Sequence, residues 1–179
     1  FDDSFLPEMA QFDKKRSESR EKLLKIASAV VGYKIGHDAI LVATSGRYEY
    51  RNKGLDIFID AVAQLKGNEA IEKEIVAFVL VPAGHTIAIP EVCSGLETEN
   101  FTRGNAPTAL THYLQDPVHD LILNQIKING MTNSHDSKVK IVFAPIYIEG
   151  RDGVFDMPYY DVLMGMDLTI FPSYYEPFG

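Results

Sequence analysis

Cationic side chains are concentrated in one short stretch, SGRYEYRNKGLD, at residues 45–56. An apolar run of strand length precedes it, and apolar residues at helical spacing follow it. A strand, a glycine-bounded turn and a helix beginning near Gly54 would aim backbone N–H groups and the positive helix end at one point. Arg47 can bind an oxyanion through two N–H groups, and Lys53 adds a compact charge. The pattern predicts an anion site suited to a diphosphate whose charge grows as its bond to carbon breaks.

The same cations also have an ordinary interpretation as surface residues paired with Glu49, Asp56 or Asp60. Their charge alone does not separate the two interpretations. The turn has neither the G-x-x-x-x-G-K-[ST] pattern of P-loops nor the G-x-G-x-x-G dinucleotide fingerprint. Any phosphate site here must therefore have a different design. We expect Tyr48, Tyr50 and Arg51 to hold the turn in shape.

A carboxylate in the terminal stretch FPSYYEPFG is the second candidate for chemistry. Glu176 follows a strand of the expected sheet, where it could stabilise positive charge on a sugar or accept hydrogen bonds from hydroxyls. It could equally cap a helix or solvate a turn, since Pro177 and Gly179 suit a turn.

Composition narrows the possible partners and location. The net charge of -8 and the pI near 5.1 argue against binding to nucleic acid or to an anionic membrane surface. The apolar runs are too short to span a bilayer. The single cysteine fits a cytoplasmic location, and the five histidines lack metal-ligand spacing, so we expect no metal. We expect one domain over residues 1–179, cut at both ends from a longer chain.

Apolar periodicity predicts strands that alternate with helices. Helices are predicted at residues 11–31, 54–66, 108–129 (interrupted near Pro117) and 159–166, and strands at residues 39–45, 75–82, 139–146 and 167–172, with an irregular excursion over residues 83–107. This alternation indicates an α/β fold, a parallel sheet with helices on both faces. The turns GRYEYRNKG, PIYIEGRDG and PSYYEPFG would then leave the same carboxyl edge, where ligands bind in such sheets.

Two stretches, TSGRYEYRNKGLDIFIDAVAQL and MDLTIFPSYYEPFG, closely resemble the glycogen synthases of the fungal and animal type. The segment DPVHDLILNQIKINGMTNSHDSKVKIVFAPIYI is similar to the same family, so the resemblance covers most of the chain beyond about Ala39. It implies the Rossmann-like C-terminal, donor-nucleotide half of a GT-B glycosyltransferase. It also implies retaining transfer of glucose from UDP-glucose to the non-reducing end of an α-1,4-glucan, without cofactor or metal. The parent protein is expected to be a homo-oligomer, and the chain by itself to be inactive.

The resemblance assigns roles to particular residues. It implies that Arg47 and Lys53 contact the donor diphosphate, and that Glu176 lies beside the donor sugar. Two aromatic residues would hold the uracil between them, and by position these are Tyr147 and Tyr159, with Tyr160 competing for the second place. Three further residues are expected among those that bind the substrate: Gly46, Tyr175 and Gly179.

The sequence departs from the family pattern at two places. Phe178 stands where the family has tryptophan, and Tyr147 stands where phenylalanine is usual. Two alternatives stay open: a related transferase with an ADP-glucose donor or another acceptor, and a non-catalytic module that binds a phosphorylated ligand or glucan. The combination of Arg47, Lys53 and Glu176 favours an enzyme, because a module that only binds has no need of a carboxylate beside the cations.

Overall fold

A computed structural model describes residues 8–175. Its central feature is a parallel sheet of four strands, β1 (Ile40–Ser45), β2 (Ile75–Leu80), β5 (Val139–Ala144) and β6 (Leu168–Thr169), in the order β5-β2-β1-β6. Every residue of β2 and β5 is buried. Their apolar runs are continuous for this reason, since both faces of a parallel sheet are covered.

Helices cover both faces of this sheet. They are α1 (Met9–Val31), α2 (Leu55–Gln64), α3 (Pro90–Thr98), α4 (Leu121–Ile128) and α5 (Tyr159–Met164), and a short 3₁₀ helix (Leu65–Gly67) follows α2. One layer is formed by α2 packing against α4, and the other by α1 packing against α3 and α5. The predicted Rossmann-like α/β fold is confirmed.

The prediction was wrong between β2 and α4. Residues 83–107 contain β3 (His85–Ala88) and α3, and β3 pairs antiparallel with β4 (His112–Leu114). Pro90 is the first residue of α3, a position where its missing N–H has no cost. The expected helix over residues 108–129 begins only at Leu121, because the Asp120 carboxylate caps it by accepting a hydrogen bond from the Leu123 N–H at 2.7 Å.

A partly exposed carboxylate ties β6 to β1. Asp167 accepts hydrogen bonds from the Leu41 N–H at 2.8 Å, from Arg20 at 2.7 Å and from Arg16 at 3.0 Å. Partial burial acts to raise the pKa of Asp167, but these donors outweigh it and hold that pKa below its ordinary value. The strand that precedes the PSYYEPFG turn is thereby fixed in register with the strand that precedes the basic residues.

All four strands are parallel, so the turns that follow β1, β5 and β6 leave the same edge of the sheet. This part of the prediction is confirmed. It brings the turn after β1, which we call the basic turn (residues 46–54), close to the residues that follow β5.

Candidate functional site

The basic turn is a compact, internally hydrogen-bonded segment. The Glu49 N–H donates to the Arg47 carbonyl at 2.7 Å, and the Lys53 N–H donates to the Glu49 carbonyl at 2.8 Å. The Leu55 N–H then donates to the Tyr50 carbonyl at 3.0 Å, which joins the turn directly to the first residue of α2. The cationic side chains therefore stand immediately before the positive end of a helix, as the sequence predicts.

Gly54 is where the basic turn meets the segment after β6. Its φ is 60°, in the left-handed region, and a Cβ at this position would lie 2.1 Å from the Pro172 carbonyl oxygen. The Tyr174 N–H donates to the Asn52 carbonyl at 2.9 Å in the same contact. Only glycine allows the two backbones to approach this closely.

Tyr48 anchors the basic turn to α4. Its hydroxyl donates to Asp120 Oδ2 at 2.8 Å and accepts hydrogen bonds from the N–H groups of Leu121 at 3.0 Å and Ile122 at 3.3 Å. Partial burial, together with the Asp120 carboxylate, raises the pKa of the Tyr48 phenol, so it stays a neutral donor.

Two further side chains hold the basic turn. The Tyr50 hydroxyl donates to Gln125 Oε1 on α4 at 3.0 Å, and Arg51 Nη1 donates to Asp56 Oδ2 on α2 at 2.8 Å. These contacts agree with the expectation that Tyr48, Tyr50 and Arg51 shape the turn. Of the cations of the turn, Arg51 is thus engaged in holding its shape.

Arg47 is largely exposed and pairs with the carboxylate of its own turn. Its guanidinium lies 2.9 Å from Glu49 Oε1, and 78% of its side chain is accessible. The surface pairing that the sequence left open for Arg47 is therefore present. Such an exposed pair contributes little energy, so a more highly charged anion can displace it. Lys53 is half-buried, and its Cδ lies 3.9 Å from the point where a Gly46 Cβ would stand.

A cavity of about 290 Å³ opens beside Arg47 at the carboxyl edge. We call it the tyrosine cavity, and its lining includes Gly46, Arg47, Pro82, Tyr147, Glu149 and Tyr159. A β-bridge between Glu149 and Pro158 closes the loop that joins its two tyrosines. Four residues that the sequence assigned to substrate thus line one cavity: Gly46, Arg47, Tyr147 and Tyr159.

Of the two tyrosines that compete for one role, Tyr159 lines the tyrosine cavity. Its hydroxyl is 2.6 Å from Ser45 Oγ at the end of β1, and the Tyr160 ring packs edge-on against it with centroids 5.4 Å apart. Tyr147 is 69% exposed. One ring is therefore held in place and the other is open to solvent.

The sequence model of the glycogen synthase family matches residues 21–93 and 97–179. The chain belongs to the glycogen synthase family. The match begins earlier than the resemblance found from about Ala39 onwards, and it includes the C-terminal part of α1, from residue 21.

Individual glycogen synthases are also similar to this chain. Glycogen (starch) synthase isoform 2 of Saccharomyces cerevisiae is 28% identical, over a match that covers 75% of this chain and 28% of that protein. The glycogen (starch) synthase of Neurospora crassa is 27% identical, and its match covers 96% of this chain and 32% of that protein. The liver glycogen (starch) synthase of Rattus norvegicus is 25% identical, and its match covers 87% of this chain and 30% of that protein. The chain thus spans less than a third of the relatives it matches.

Two of the assigned residues that the structure describes, Lys53 and Tyr175, are not part of the lining of the tyrosine cavity. Tyr175 is described and 69% exposed, and it is not part of the lining. Glu176 and Gly179 lie outside the described residues. Their roles in a glycogen synthase site stay predictions, as do the roles of Arg47 and Lys53.

Sequence reasoning missed a second cavity, of about 660 Å³, which shares Pro82 and Tyr147 with the first. We call it the acidic cavity, and its lining also includes Tyr48, Gln115, Asp116, His119, Asp120 and Leu121. The helical pattern expected over residues 108–120, where the structure has β4 and a turn, hid these side chains. The signal was present in Asp120, a preferred N-cap residue directly before an apolar run.

The described residues offer neither a metal-binding cluster nor a membrane-spanning helix. Among residues 8–175 no group of three or more histidine, cysteine, aspartate or glutamate side chains is placed to hold a metal ion. No helix in this range has the length and apolar character needed to cross a membrane. The cytoplasmic location and the homo-oligomeric parent stay predictions.

Proposed function

We propose that this chain forms the donor-nucleotide half of a retaining glucosyltransferase. In this proposal glucose passes from UDP-glucose to the non-reducing end of an α-1,4-glucan. Family membership supports the reaction class. The observation that carries the proposal is the tyrosine cavity, where two tyrosine rings from different turns lie beside Gly46 and Arg47 at the carboxyl edge of the sheet.

The tyrosine cavity offers separate places for a base and for a diphosphate. Uracil would lie between the rings of Tyr147 and Tyr159, since flat apolar surfaces favour stacking on aromatic rings. The hydrogen-bonding contact with Ser45 keeps the Tyr159 ring in position before the base arrives. The diphosphate would then extend towards the basic turn, where Arg47 exchanges Glu49 for it and Lys53 adds a second charge.

These cations would act mainly as the reaction proceeds. When the bond between the anomeric carbon and the phosphate oxygen breaks, negative charge grows on the departing UDP. Arg47, Lys53 and the N-terminus of α2 would lie around that charge and stabilise it. The proposal therefore assigns charge neutralisation to the protein's own groups.

The acceptor would attack from the same face that UDP leaves. A glucan hydroxyl forms the new bond to the anomeric carbon, the bond to UDP breaks, and the hydroxyl proton passes to the departing phosphate oxygen. This front-face course retains the configuration without a protein nucleophile. Glu176, which is predicted to lie beside the donor sugar, would stabilise the positive charge that develops on the glucose ring.

Calorimetric titration of the chain with UDP-glucose, ADP-glucose and UDP tests the proposal. We expect UDP-glucose and UDP to bind, and Arg47→Ala to weaken both by about 10- to 100-fold through loss of a charge-assisted hydrogen bond. Lys73→Ala is the matched control, because Lys73 is an exposed cation before β2, at the opposite edge of the sheet.

Each competing function has its own outcome. Tighter binding of ADP-glucose than of UDP-glucose would identify a different donor. Equal affinity of UDP-glucose for wild type and Arg47→Ala would remove Arg47 from the site and favour a non-catalytic module.

A further inference from the structure

His112, a buried histidine of β4, has no part in the transfer reaction described above. It is 3% exposed, and both of its ring nitrogens meet hydrogen-bonding groups. Nδ1 lies 2.9 Å from the Thr111 hydroxyl oxygen, and Nε2 lies 3.4 Å from the Asp152 carbonyl oxygen. Because a carbonyl oxygen only accepts, Nε2 carries the proton and donates it, and Nδ1 accepts from Thr111. The neutral ring is therefore satisfied on both sides.

Asp152 joins His112 to the segment between the two tyrosines of the tyrosine cavity. We call this segment, residues 148–158, the connecting loop. The Asp152 carboxylate accepts hydrogen bonds from the N–H groups of Val154 at 3.0 Å and Phe155 at 2.6 Å, and both of those side chains are fully buried. The connecting loop is thus held to the core through the Asp152 side chain and to β4 through the Asp152 carbonyl.

A cavity of about 350 Å³ beside His112 adjoins the tyrosine cavity. Tyr147 and Glu149 line both cavities, whereas His112 and Asp152 line only this one. The Tyr147 side chain is 69% exposed, so burial alone does not fix its position. Its place opposite Tyr159 depends on the backbone of the connecting loop that follows it.

The surroundings of His112 favour its neutral form. The His85 ring of β3 packs edge-on against it, with centroids 5.6 Å apart, and a protonated His85 would repel a second positive charge. The Asp152 carboxylate attracts such a charge, and Glu149 and Arg151 line the same cavity with opposite charges. Burial is the larger effect and lowers the pKa of His112, although the contact with the Asp152 carbonyl acts the other way.

We propose that His112 is a positioning residue for nucleotide binding, which holds Tyr147 opposite Tyr159 through the connecting loop and does so only as the neutral ring. The inference rests on the proposed function, because the two tyrosines stack on uracil in that proposal. A second proton on His112 would place an N–H at Nδ1 against the Thr111 hydroxyl, which would have to turn its own proton away. The buried position also denies the charged ring the water that would stabilise it, so the contact with the loop opens as the pH falls.

Calorimetric titration of the chain with UDP-glucose, from about pH 8 to about pH 5, tests the inference. The diphosphate of UDP-glucose keeps its charge over this range, so the ligand adds no pH dependence of its own. His112→Leu removes the donor, whereas His112→Gln keeps an N–H donor that does not titrate. His37→Gln is the matched control, because His37 is an exposed histidine before β1, at the opposite edge of the sheet.

At about pH 8 we expect His112→Leu to weaken UDP-glucose binding by about 3- to 10-fold, the loss of one hydrogen bond, and His112→Gln to bind as the wild type does. The pKa of His112 is lowered, so the wild-type affinity should be constant above the ordinary histidine pKa and fall as the pH drops through the lowered value. His37→Gln should keep this fall and His112→Gln should lack it.

Two results would overturn the inference. One is equal affinity of the wild type and His112→Leu at about pH 8, and the other is the same loss in acid for the wild type and His112→Gln. Thermal melting checks that each variant is folded at each pH. If His112→Leu does not fold, the comparison of the wild type with His112→Gln still decides.

Hydrogen exchange separates this inference from the donor proposal. Without any nucleotide, His112→Leu should speed amide exchange in residues 148–158, and unchanged exchange there would remove His112 from the support of the connecting loop. UDP-glucose binding that does not depend on His112 overturns the inference and leaves the donor proposal standing. A folded wild-type chain that binds no UDP-glucose contradicts the donor proposal and the positioning role together.

Discussion

Substitution of Gly54 by alanine should separate the basic turn from the segment after β6. The φ of 60° costs a residue with a Cβ about 1–2 kcal/mol. The added carbon would also stand 2.1 Å from the Pro172 carbonyl oxygen, a backbone atom that cannot rotate away. Forced repacking of this kind costs about 1–3 kcal/mol. The expected loss in the free energy of unfolding is therefore about 2–5 kcal/mol.

Two other glycines divide this loss into its causes. Gly104 has a φ of 53° and no atom within 4 Å of its virtual Cβ, so Gly104→Ala measures the backbone strain alone. Gly67 has neither a positive φ nor a nearby atom, and Gly67→Ala should leave stability unchanged or raise it slightly. Circular dichroism melts then compare three cases. Gly54→Ala has both backbone strain and a steric clash, Gly104→Ala has strain alone, and Gly67→Ala has neither.

The melting temperatures should rank in that order. We expect Tm to fall by roughly 5–20 °C for Gly54→Ala and by roughly 2–8 °C for Gly104→Ala, using the usual sensitivity of a domain of this size. UDP-glucose binding measured below both transitions should weaken only in Gly54→Ala, because only that variant displaces the basic turn. Equal melting temperatures and equal affinities for the two variants would refute the reasoning.

Three other changes test the surroundings of the site. Tyr48→Phe removes a donor from Asp120 and should lower the free energy of unfolding in urea by about 1–3 kcal/mol; no loss would mean that the anchor to α4 carries no stability. Asp167 has a lowered pKa, so its contribution is present above the ordinary carboxyl pKa and disappears as pH falls through the lowered value. The stability difference between wild type and Asp167→Asn should therefore be constant near neutral pH and shrink in acid, and a difference that persisted through that range would contradict the assignment. Tyr159→Ala should weaken UDP binding on the order of tenfold or more in calorimetry while Tyr160→Ala changes it little, and the reverse order would exchange their roles.

The sequence was a sufficient guide where burial alone decides structure. The strands β1, β2 and β5 are continuous apolar runs because both faces of the sheet are covered. Parallel strands then place the ends of β1 and β5 at one edge. The proximity of Arg47 to Tyr147 follows from this topology, without any knowledge of side-chain positions.

Prediction failed where local and distant interactions compete. Residues 108–129 carry apolar residues at helical spacing, but residues 112–114 pair with β3 and the Asp120 cap delays the helix. The partner of β4 lies on a strand that begins at His85, and no local pattern reveals such a pairing. The hydrogen bond that anchors the basic turn could not be read from a local pattern either. Tyr48 and Asp120 are 72 positions apart, and they meet because α2 packs on α4.

The charges around Tyr147 bear on how an acidic protein could bind the diphosphate of the proposed function. The net charge of -8 opposes anions at long range, but screening limits that field to about 8–10 Å in physiological salt. At shorter range the nearby side chains decide, and Arg47 lines one of the two cavities that share Tyr147, while Asp116 and Asp120 line the other. In the proposed function the sugar nucleotide would therefore bind on the side of Arg47, where a local cation opposes the repulsion of the whole protein.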